Sequence, residues 1–283
     1  MNAKRSADEP GRDRAPPARA RTGTEGLLDP LHGAAHFQHA RTAPSPAIAR
    51  FVELYWTVTW DLRGRAPYAQ ETLPWPCVNL VVGSHRPGLF GPATLRFVAE
   101  LEGEGWVVGA KFRAGAYRPF LGAAVATLTD QEIPLDHAFG SRGAELERAM
   151  HTARPEDRVG VLEAFVTTLD RAEEPGVELA IAAAEIARTD RAILRVDALA
   201  ERAGLSVRAL QSLFHQHVGV SPKWVIRRFR VQDAAERIAR EGVLDGAALA
   251  SACGYFDQAH FIRDFKSQIG KTPGQYAAAC ARP

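Results

Sequence analysis

What this 283-residue sequence lacks disfavours several classes of protein. It has only three cysteines, Cys77, Cys253 and Cys280, which are too few and too widely spaced for a disulfide framework or a CxxC metal site. No apolar run approaches the ~18 residues of a membrane-spanning helix, and the N-terminus has no apolar segment typical of a secretory signal. We therefore expect a cytoplasmic protein without a membrane segment.

Signatures of common enzymes are also missing from the sequence. It contains no GxSxG, no phosphate-binding GxxxxGK[ST] loop and no HExxH. His32, His36 and His39 lie close together, but no acidic or cysteine residue accompanies them, and a stable metal site needs three or four converging ligands. We therefore predict no enzyme, no metal site and no cofactor.

Charge is distributed unevenly along the chain, although the formal net charge is only +2. Residues 195–283 carry 13 Lys and Arg against 8 Asp and Glu, whereas residues 22–194 carry 16 against 22. A basic C-terminal segment behind an acidic one favours contact between the C-terminal part and a polyanion.

The local pattern changes along the chain and predicts three segments. Residues 1–26 are rich in Arg, Pro and Ala without hydrophobic periodicity, which predicts a disordered arm. Residues 27–172 begin with aromatic and β-branched segments punctuated by Gly and Pro, and residues 145–169 then show helical periodicity. This predicts an antiparallel barrel or sandwich followed by helices. The strand-like segments are residues 51–60, 77–82, 94–98 and 106–112. After a linker at residues 173–176, residues 177–283 are helical in pattern.

An internal repeat occupies the C-terminal segment. The run Leu199-Ala-Glu-Arg-Ala-Gly-Leu205 recurs 50 residues later as Leu249-Ala-Ser-Ala-Cys-Gly-Tyr255, and the apolar positions that follow recur at an interval of 51. One residue is therefore added after Gly254, where Tyr255-Phe256 stands opposite Leu205. Each copy predicts a short helix, a turn that favours glycine and a second helix. The copies are two helix-turn-helix units, at about residues 196–217 and 247–268.

Side chains in each unit have assignable roles. Ser206 and Asp257 are placed to cap the second helix of each unit, and the next apolar positions at i, i+4 spacing form its buried face. Ser221-Pro222 begins a long helix that runs to about Arg240, whose apolar residues can pack against both units. Such a helix would fix the units relative to each other, and consecutive major-groove segments lie about 34 Å apart.

The segment 195–279 resembles the DNA-binding domain of AraC/XylS-type transcription regulators. The resemblance rests on Gly254-Tyr-Phe-Asp-Gln-Ala-His-Phe-Ile-Arg-Asp-Phe-Lys266, on Gly270-Lys-Thr-Pro273 with Tyr276, and on Gly219-Val-Ser-Pro222. It implies double-stranded DNA as the partner and RNA polymerase as a further one. The positions implied to face DNA are Arg208, Gln211, Ser212 and His215 in the first unit and Gln258, Ala259, Ile262, Arg263 and Lys266 in the second. Ser212 departs from the longer basic residue that is common in the family, which implies weaker base reading there.

Residues 44–140 resemble a sensor-like domain that often precedes such DNA-binding domains, which implies a cupin-like β-barrel followed by helices. The matching pieces include Tyr55-Trp56, Glu71-Thr-Leu-Pro74 and Val108-Gly-Ala-Lys-Phe-Arg-Ala-Gly115. Trp56, Trp75 and Arg113 are candidates for a pocket that binds a small-molecule effector. Core packing is the alternative for the tryptophans, and an inter-strand salt bridge is the alternative for Arg113.

The sequence therefore predicts an α+β protein that regulates transcription, with a barrel-like regulatory domain before an all-α DNA-binding domain. A homodimer formed through the N-terminal domain is a further hypothesis, although no coiled-coil heptad supports it. Two alternatives remain: a ligand-binding or interaction protein whose repeat has lost DNA binding, and an Ada-like DNA-repair protein. The second would require clustered cysteines.

Overall fold

An antiparallel sheet domain with helices precedes a helical C-terminal domain, so the predicted α+β class is confirmed. The computed structural model describes Leu28, residues 33–242 and residues 245–281. The predicted arm at residues 1–26 and His32 lie outside these residues. In chain order the strands are β1 (Gln38–Thr42), β2 (Val52–Asp61), β3 (Tyr68–Thr72), β4 (Asn79–Gly83), β5 (Gly88–Phe90), β6 (Phe97–Leu101), β7 (Glu104–Phe112) and β8 (Glu132–Pro134).

Six of these strands form one antiparallel sheet in the order β1-β2-β7-β4-β5-β8, and β3 pairs with β6 in a separate two-stranded sheet. The central pair is β2 and β7, in which Tyr55 lies opposite Ala110. Among the described strands, hydrogen bonding does not close the larger sheet, because β1 and β8 lie at its two ends. A closed cupin-like barrel therefore remains a prediction.

Two glycines of β7 allow tryptophan rings to lie flat against the sheet. A Cβ atom on Gly105 would come within 2.2 Å of the Trp60 ring, and one on Gly109 would come within 2.3 Å of the Trp56 ring. A side chain at either position would displace the indole, so glycine is required by close approach. Trp60 and Trp56 thus pack across the β2–β7 ladder.

The helices of the N-terminal domain cover one face of the sheet and complete its core. Buried residues of β2, β4 and β7, including Tyr55, Leu80 and Phe112, form a single cluster with Met150 and Leu162. These helices are α1 (Arg118–Leu121), α2 (Leu135–Phe139), α3 (Ser141–Thr152) and α4 (Arg158–Thr167).

The C-terminal domain follows the predicted repeat closely. Its helices are α5 (Val177–Thr189), α6 (Val196–Arg202), α7 (Val207–His217), α8 (Pro222–Glu241), α9 (Gly246–Ala252), α10 (Gln258–Ile269) and α11 (Pro273–Cys280). The turns between α6 and α7 and between α9 and α10 contain Gly204 at φ +69° and Gly254 at φ +76°, the left-handed conformation that glycine tolerates best.

Helix α8 contributes to the cores of both helix-turn-helix units. Its N-terminal half places Val225 and Phe229 in the cluster that holds Leu210 and Phe214 of α7. Its C-terminal half places Val231, Ala235 and Ile238 in the cluster that holds Phe261 and Phe265 of α10. The prediction that one helix packs against both units is therefore confirmed, and Tyr276 is core as expected.

The sheet domain also contacts both units directly. Thr129 Oγ1 donates a hydrogen bond to the Gly219 carbonyl at 2.7 Å, behind the first unit. Beside the second unit, Lys271 Nζ donates to Glu71 Oε2 at 2.8 Å. Leu28 and Leu73 also belong to the apolar cluster of the second unit. The two domains are therefore docked against each other. Across the described ranges, no helix combines the length and apolarity needed to cross a bilayer.

Candidate nucleic-acid interface

Helix α7 is fixed at its start by the predicted N-cap. Ser206 Oγ accepts a hydrogen bond from the Ala209 backbone N–H at 3.2 Å. One face of the helix is buried, because Leu210 and Phe214 are fully enclosed. The opposite face exposes all four residues predicted to meet DNA, namely Arg208, Gln211, Ser212 and His215.

Helix α10 has the same construction in the second unit. The Asp257 carboxylate accepts a hydrogen bond from the His260 backbone N–H at 2.7 Å, which confirms the second predicted N-cap. The exposed face presents Gln258, Ala259, Arg263 and Lys266. Ile262 differs from its predicted neighbours because it is half-buried and packs against the apolar cluster of the second unit.

The exposed faces of α7 and α10 carry basic side chains that are available to a ligand. Within the described part of the chain, no carboxylate forms an ion pair with Arg208 on α7 or with Arg263 and Lys266 on α10. A guanidinium without an internal partner can donate bidentate hydrogen bonds to a guanine edge or to a phosphate. The two helices thus have the chemistry of a nucleic-acid contact.

A partly buried polar cluster holds α10 against α8. Arg227 Nη2 lies 2.7 Å from Asp264 Oδ2, and the Tyr255 hydroxyl donates a hydrogen bond to the same carboxylate oxygen. His260 Nε2 lies 3.4 Å from Arg227 Nη2, so His260 takes part in a contact within the fold. Burial, followed by the hydrogen bond with Asp264, raises the pKa of Tyr255 above its usual value.

Two arginines of α8 are buried. The helix carries Arg227, Arg228 and Arg230, and its amphipathic pattern predicts that they supply charge around the apolar surface, yet Arg228 is only 1% exposed and Arg230 only 2%. Arg230 Nη2 donates to the Ala187 carbonyl at 2.6 Å and Nη1 to Asp233 at 2.8 Å, which ties α8 to α5. Burial lowers the pKa of Arg228 to about 10.

Arg228 makes a buried polar contact between α8 and the sheet domain. Its Nη2 donates to the Thr94 carbonyl at 2.7 Å, while Nε and Nη1 have no hydrogen-bond partner among the described residues. The sequence could not reveal this, because a basic residue on an amphipathic helix is ordinarily exposed.

Each of the three effector candidates makes a contact within the protein. Trp75 lies between the domains, with Lys111 Nζ 3.4 Å from its ring centroid and the Phe229 ring 5.4 Å away. Trp56 packs over Gly109, and Arg113 Nε donates to the Ala49 carbonyl at 2.9 Å. For Arg113 the observed partner is therefore a backbone carbonyl, whereas the sequence suggested a carboxylate or an anionic ligand.

A cavity of about 760 Å³ lies elsewhere in the sheet domain. Trp60, Trp106 and Arg158 are among its lining residues, and none of the three effector candidates is. The Arg158 guanidinium stacks 3.8 Å from the centroid of the Trp106 ring, and burial lowers its pKa. The volume falls within the range of small-molecule sites.

Cys77 and Cys253 are buried, and His36 has an aromatic partner. In the ranges that the structure describes, no three His, Cys, Asp or Glu side chains converge as metal ligands, and His36 stacks on Tyr68 with ring centroids 3.9 Å apart. Burial raises the pKa of Cys77 to about 11 and that of Cys253 to about 12. Both thiols therefore stay protonated at neutral pH.

One exposed residue beside α10 was not singled out as a contact residue. The Phe256 side chain is 99% exposed, directly before the N-cap Asp257. The signal for Phe256 in the sequence is the extra residue of the second repeat. Lys223 is also exposed, in the first turn of α8, and no sequence pattern marks it as a contact residue.

Two family models match separate parts of the chain. Residues 40–134 match a domain of unknown function, DUF6597, and residues 199–279 match a helix-turn-helix domain. The second match contains α7, α8, α9 and α10.

Individual relatives are transcription regulators by their printed names. An uncharacterised HTH-type transcriptional regulator of Haemophilus influenzae is 35% identical over 83 residues, covering 29% of this chain and 27% of the relative. The RCS-specific HTH-type transcriptional activator RclR of Escherichia coli is 33% identical over 81 residues, covering 29% of this chain and 28% of the relative. The chain thus spans less than a third of the length of these relatives.

Among solved structures, ToxT of Vibrio cholerae O395 is 12% identical, with a TM-score of 0.39 over 88% of this chain and all of that one. The family match, together with the paired capped helices on α8, identifies residues 199–279 as a helix-turn-helix domain.

Proposed function

We propose that this chain is a cytoplasmic transcription regulator of the AraC type that binds double-stranded DNA sequence-specifically. The observation that carries the proposal is the pair of capped helices, α7 and α10, built on one shared core helix with their polar faces exposed. Recognition helices of helix-turn-helix proteins place such faces in the major groove. The proposed contacts are Arg208, Gln211, Ser212, His215, Gln258, Ala259, Ile262, Arg263 and Lys266.

The proposed contacts differ in what they contribute. Arg263 is a candidate for a bidentate contact to guanine, and Gln258 for one to adenine. Lys266 and Arg208 are candidates for contacts with phosphates. Such contacts would make the binding affinity fall as the salt concentration rises. Ala259 and the exposed part of Ile262 supply apolar contacts only. The short Ser212 makes the first unit the more sequence-tolerant one.

Within this proposal, residues 177–283 bind DNA and residues 27–172 form a cupin-like domain that regulates them. Direct contacts support regulation: Arg118 donates a hydrogen bond to Gln216 near the end of α7, and Glu71 pairs with Lys271 next to α11. A ligand that shifts the sheet domain would act on both units through these contacts. A small-molecule effector, RNA polymerase and a second copy of the chain are the further proposed partners.

The test of DNA binding is a selection of duplexes from a random library, followed by titration of a selected duplex and a scrambled one. We expect saturable binding with a lower Kd for the selected duplex than for the scrambled one. The logarithm of Kd should rise linearly with the logarithm of the salt concentration. Failure to enrich any sequence, or equal affinity for both duplexes, would contradict the proposal. That result would favour the alternative of a repeat that has lost DNA binding.

Arg263→Ala tests the residue-level assignment. We expect it to weaken binding to the selected duplex by about 1–3 kcal/mol and to relax discrimination at one base pair. Arg195→Ala is the matched control, because Arg195 lies outside both recognition helices and pairs with Asp197 at 2.9 Å. Wild-type affinity and discrimination in Arg263→Ala would remove Arg263 from the interface.

An Ada-like repair protein is the weaker alternative. Methyl acceptance by a cysteine needs an accessible thiolate. Cys77 and Cys253 are buried with raised pKa values, and the Cys253 thiol donates to the Arg230 carbonyl at 3.4 Å. The relatives that match the C-terminal domain are transcription regulators by their printed names, which also supports the main proposal.

A further inference from the structure

The extra residue in the second repeat leaves Phe256 outside the core. In the first unit a single residue, Leu205, separates Gly204 from the N-cap Ser206, and it packs into the apolar cluster. In the second unit two residues, Tyr255 and Phe256, separate Gly254 from the N-cap Asp257.

Tyr255 packs into the core of the second unit. It is 9% exposed, and its ring lies 5.3 Å from that of Phe261, the fourth residue of α10. An apolar residue just before an N-cap ordinarily makes this contact with the fourth helical residue. Because Tyr255 already makes it, Phe256 has no apolar surface to cover.

Phe256 is the most exposed large apolar side chain in the described chain. It is 99% exposed, whereas Leu95 is 70% and Val207 is 40% exposed. Its position adjoins the part of α10 that the proposed function places in the major groove. Gln258 and Ala259 are exposed in the first turn of α10, and Arg263 follows without an internal ion pair.

We propose that Phe256 packs against the 5-methyl group of a thymine in the segment read by the second unit, and so determines part of the sequence preference. The inference rests on the proposed function. Thymine alone presents a methyl group in the major groove, and phenylalanine is a side chain that can contact it. The neighbouring cations favour DNA over an apolar protein partner at this surface.

The experiment uses the full chain and a duplex selected by the wild-type protein. Each thymine of the second-unit segment is replaced in turn by deoxyuridine, which removes only the methyl group. Wild type and Phe256→Ala are titrated against every duplex by fluorescence anisotropy. We expect Phe256→Ala to raise Kd by about 5- to 50-fold, as partial burial of a large apolar side chain implies.

The decisive result is coupling between the side chain and one methyl group. At one position deoxyuridine should weaken binding of wild type but leave Phe256→Ala unchanged. The slope of log Kd against log salt concentration should be the same for Phe256→Ala as for wild type. For Lys266→Ala that slope should be lower by about 0.9 if Lys266 contacts one phosphate. Leu95→Ala, which changes an exposed side chain of the sheet domain, should bind as wild type.

Two outcomes would overturn the inference while leaving the proposed function intact. One is unchanged affinity of Phe256→Ala for the selected duplex. The other is a uniform loss without dependence on any thymine, which would place the ring on the sugar-phosphate backbone or a protein partner. If wild type selects no duplex at all, it is the proposed function that fails. Since Phe256 is exposed, unfolding midpoints of the variant and wild type should agree, which separates binding from folding.

Discussion

Single residues fix the turns that aim the two recognition helices. Gly204 and Gly254 occupy corresponding turns with positive φ, yet their surroundings differ. A Cβ atom on Gly204 would meet open space, whereas one on Gly254 would lie 2.9 Å from Leu194 Cβ. Backbone conformation is thus the shared requirement, and close packing is an additional one in the second unit.

Alanine at the two glycines should therefore have unequal effects. We expect Gly204→Ala to lower the free energy of unfolding by about 1 kcal/mol, because alanine is strained in the left-handed conformation. Gly254→Ala should lower it by about 2–3 kcal/mol, because the new Cβ atom would also clash with Leu194. Urea unfolding with comparable m-values measures both. Equal losses would mean that Leu194 moves aside without cost.

Residue-level predictions from sequence succeeded where the interaction is local. Ser206 and Asp257 cap the helices that start beside them, because the hydrogen bond spans only three residues. They failed where the partner is distant in sequence. Arg228 donates to Thr94, 134 residues away, and no periodicity of α8 distinguishes it from the partly exposed Arg227.

The sequence predicts the strands that have a strong apolar and β-branched pattern, and it does not predict the polar or short strands. Strands β2 and β7 carry aromatic and β-branched residues and match the predicted segments, whereas β1 and β3, with the sequences QHART and YAQET, have no apolar alternation. Their strand character comes from pairing with β2 and β6. The helical pattern at 145–169 is interrupted before Pro155, which separates α3 from α4.

The orientation of α10 depends on its polar attachment to α8. The Asp264 carboxylate is 15% exposed and accepts hydrogen bonds from Arg227 and Tyr255. We expect Asp264→Asn to lower the free energy of unfolding by about 1–3 kcal/mol, because it leaves a half-buried guanidinium without its counter-charge. Selected-duplex affinity should fall as well.

Tyr255→Phe is the milder control for this contact. It removes one hydroxyl donor while the ion pair remains, so we expect the free energy of unfolding to fall by about 0.5–1.5 kcal/mol. Both variants are compared by urea unfolding and by anisotropy titration. If Asp264→Asn were as stable as wild type, packing of Phe261 and Phe265 alone would orient α10.

At the scale of the whole molecule, two domains were predicted but their docking was not. The sequence marks a linker before α5, yet Val177 belongs to the core of the sheet domain and Leu73 to that of the second unit. Shared cores of this kind depend on which surfaces meet in three dimensions, which no local pattern encodes. The regulatory hypothesis now has named contacts to act through.

The stability of the fold should respond to pH through His217, the last residue of α7. It is 4% exposed, it faces Gly176 and Arg118, and burial followed by the Arg118 charge lowers its pKa below 6.5. The unfolded chain therefore binds a proton more readily as pH falls. Stability should be unaffected above about pH 7, decrease as pH falls through about 6.5, and level off below the folded-state pKa.

His217→Gln removes this titration. Between pH 7.5 and 5 the free energy of unfolding of the variant should decrease less than that of wild type. Other groups, including His39, whose pKa is also lowered, contribute equally to both proteins and cancel in the difference. Parallel pH profiles for the two proteins would show that His217 is solvated like an ordinary surface histidine.

Under the proposed function, helix α8 has a consequence for the DNA sequences that the chain would recognise. Because its 20 residues pack into both units, the recognition helices cannot slide apart without opening a core. Each added base pair moves the next groove segment by about 3.4 Å and turns it by roughly 35° around the duplex axis. A target with one extra base pair between its two halves would present its second half on a side that α10 cannot reach.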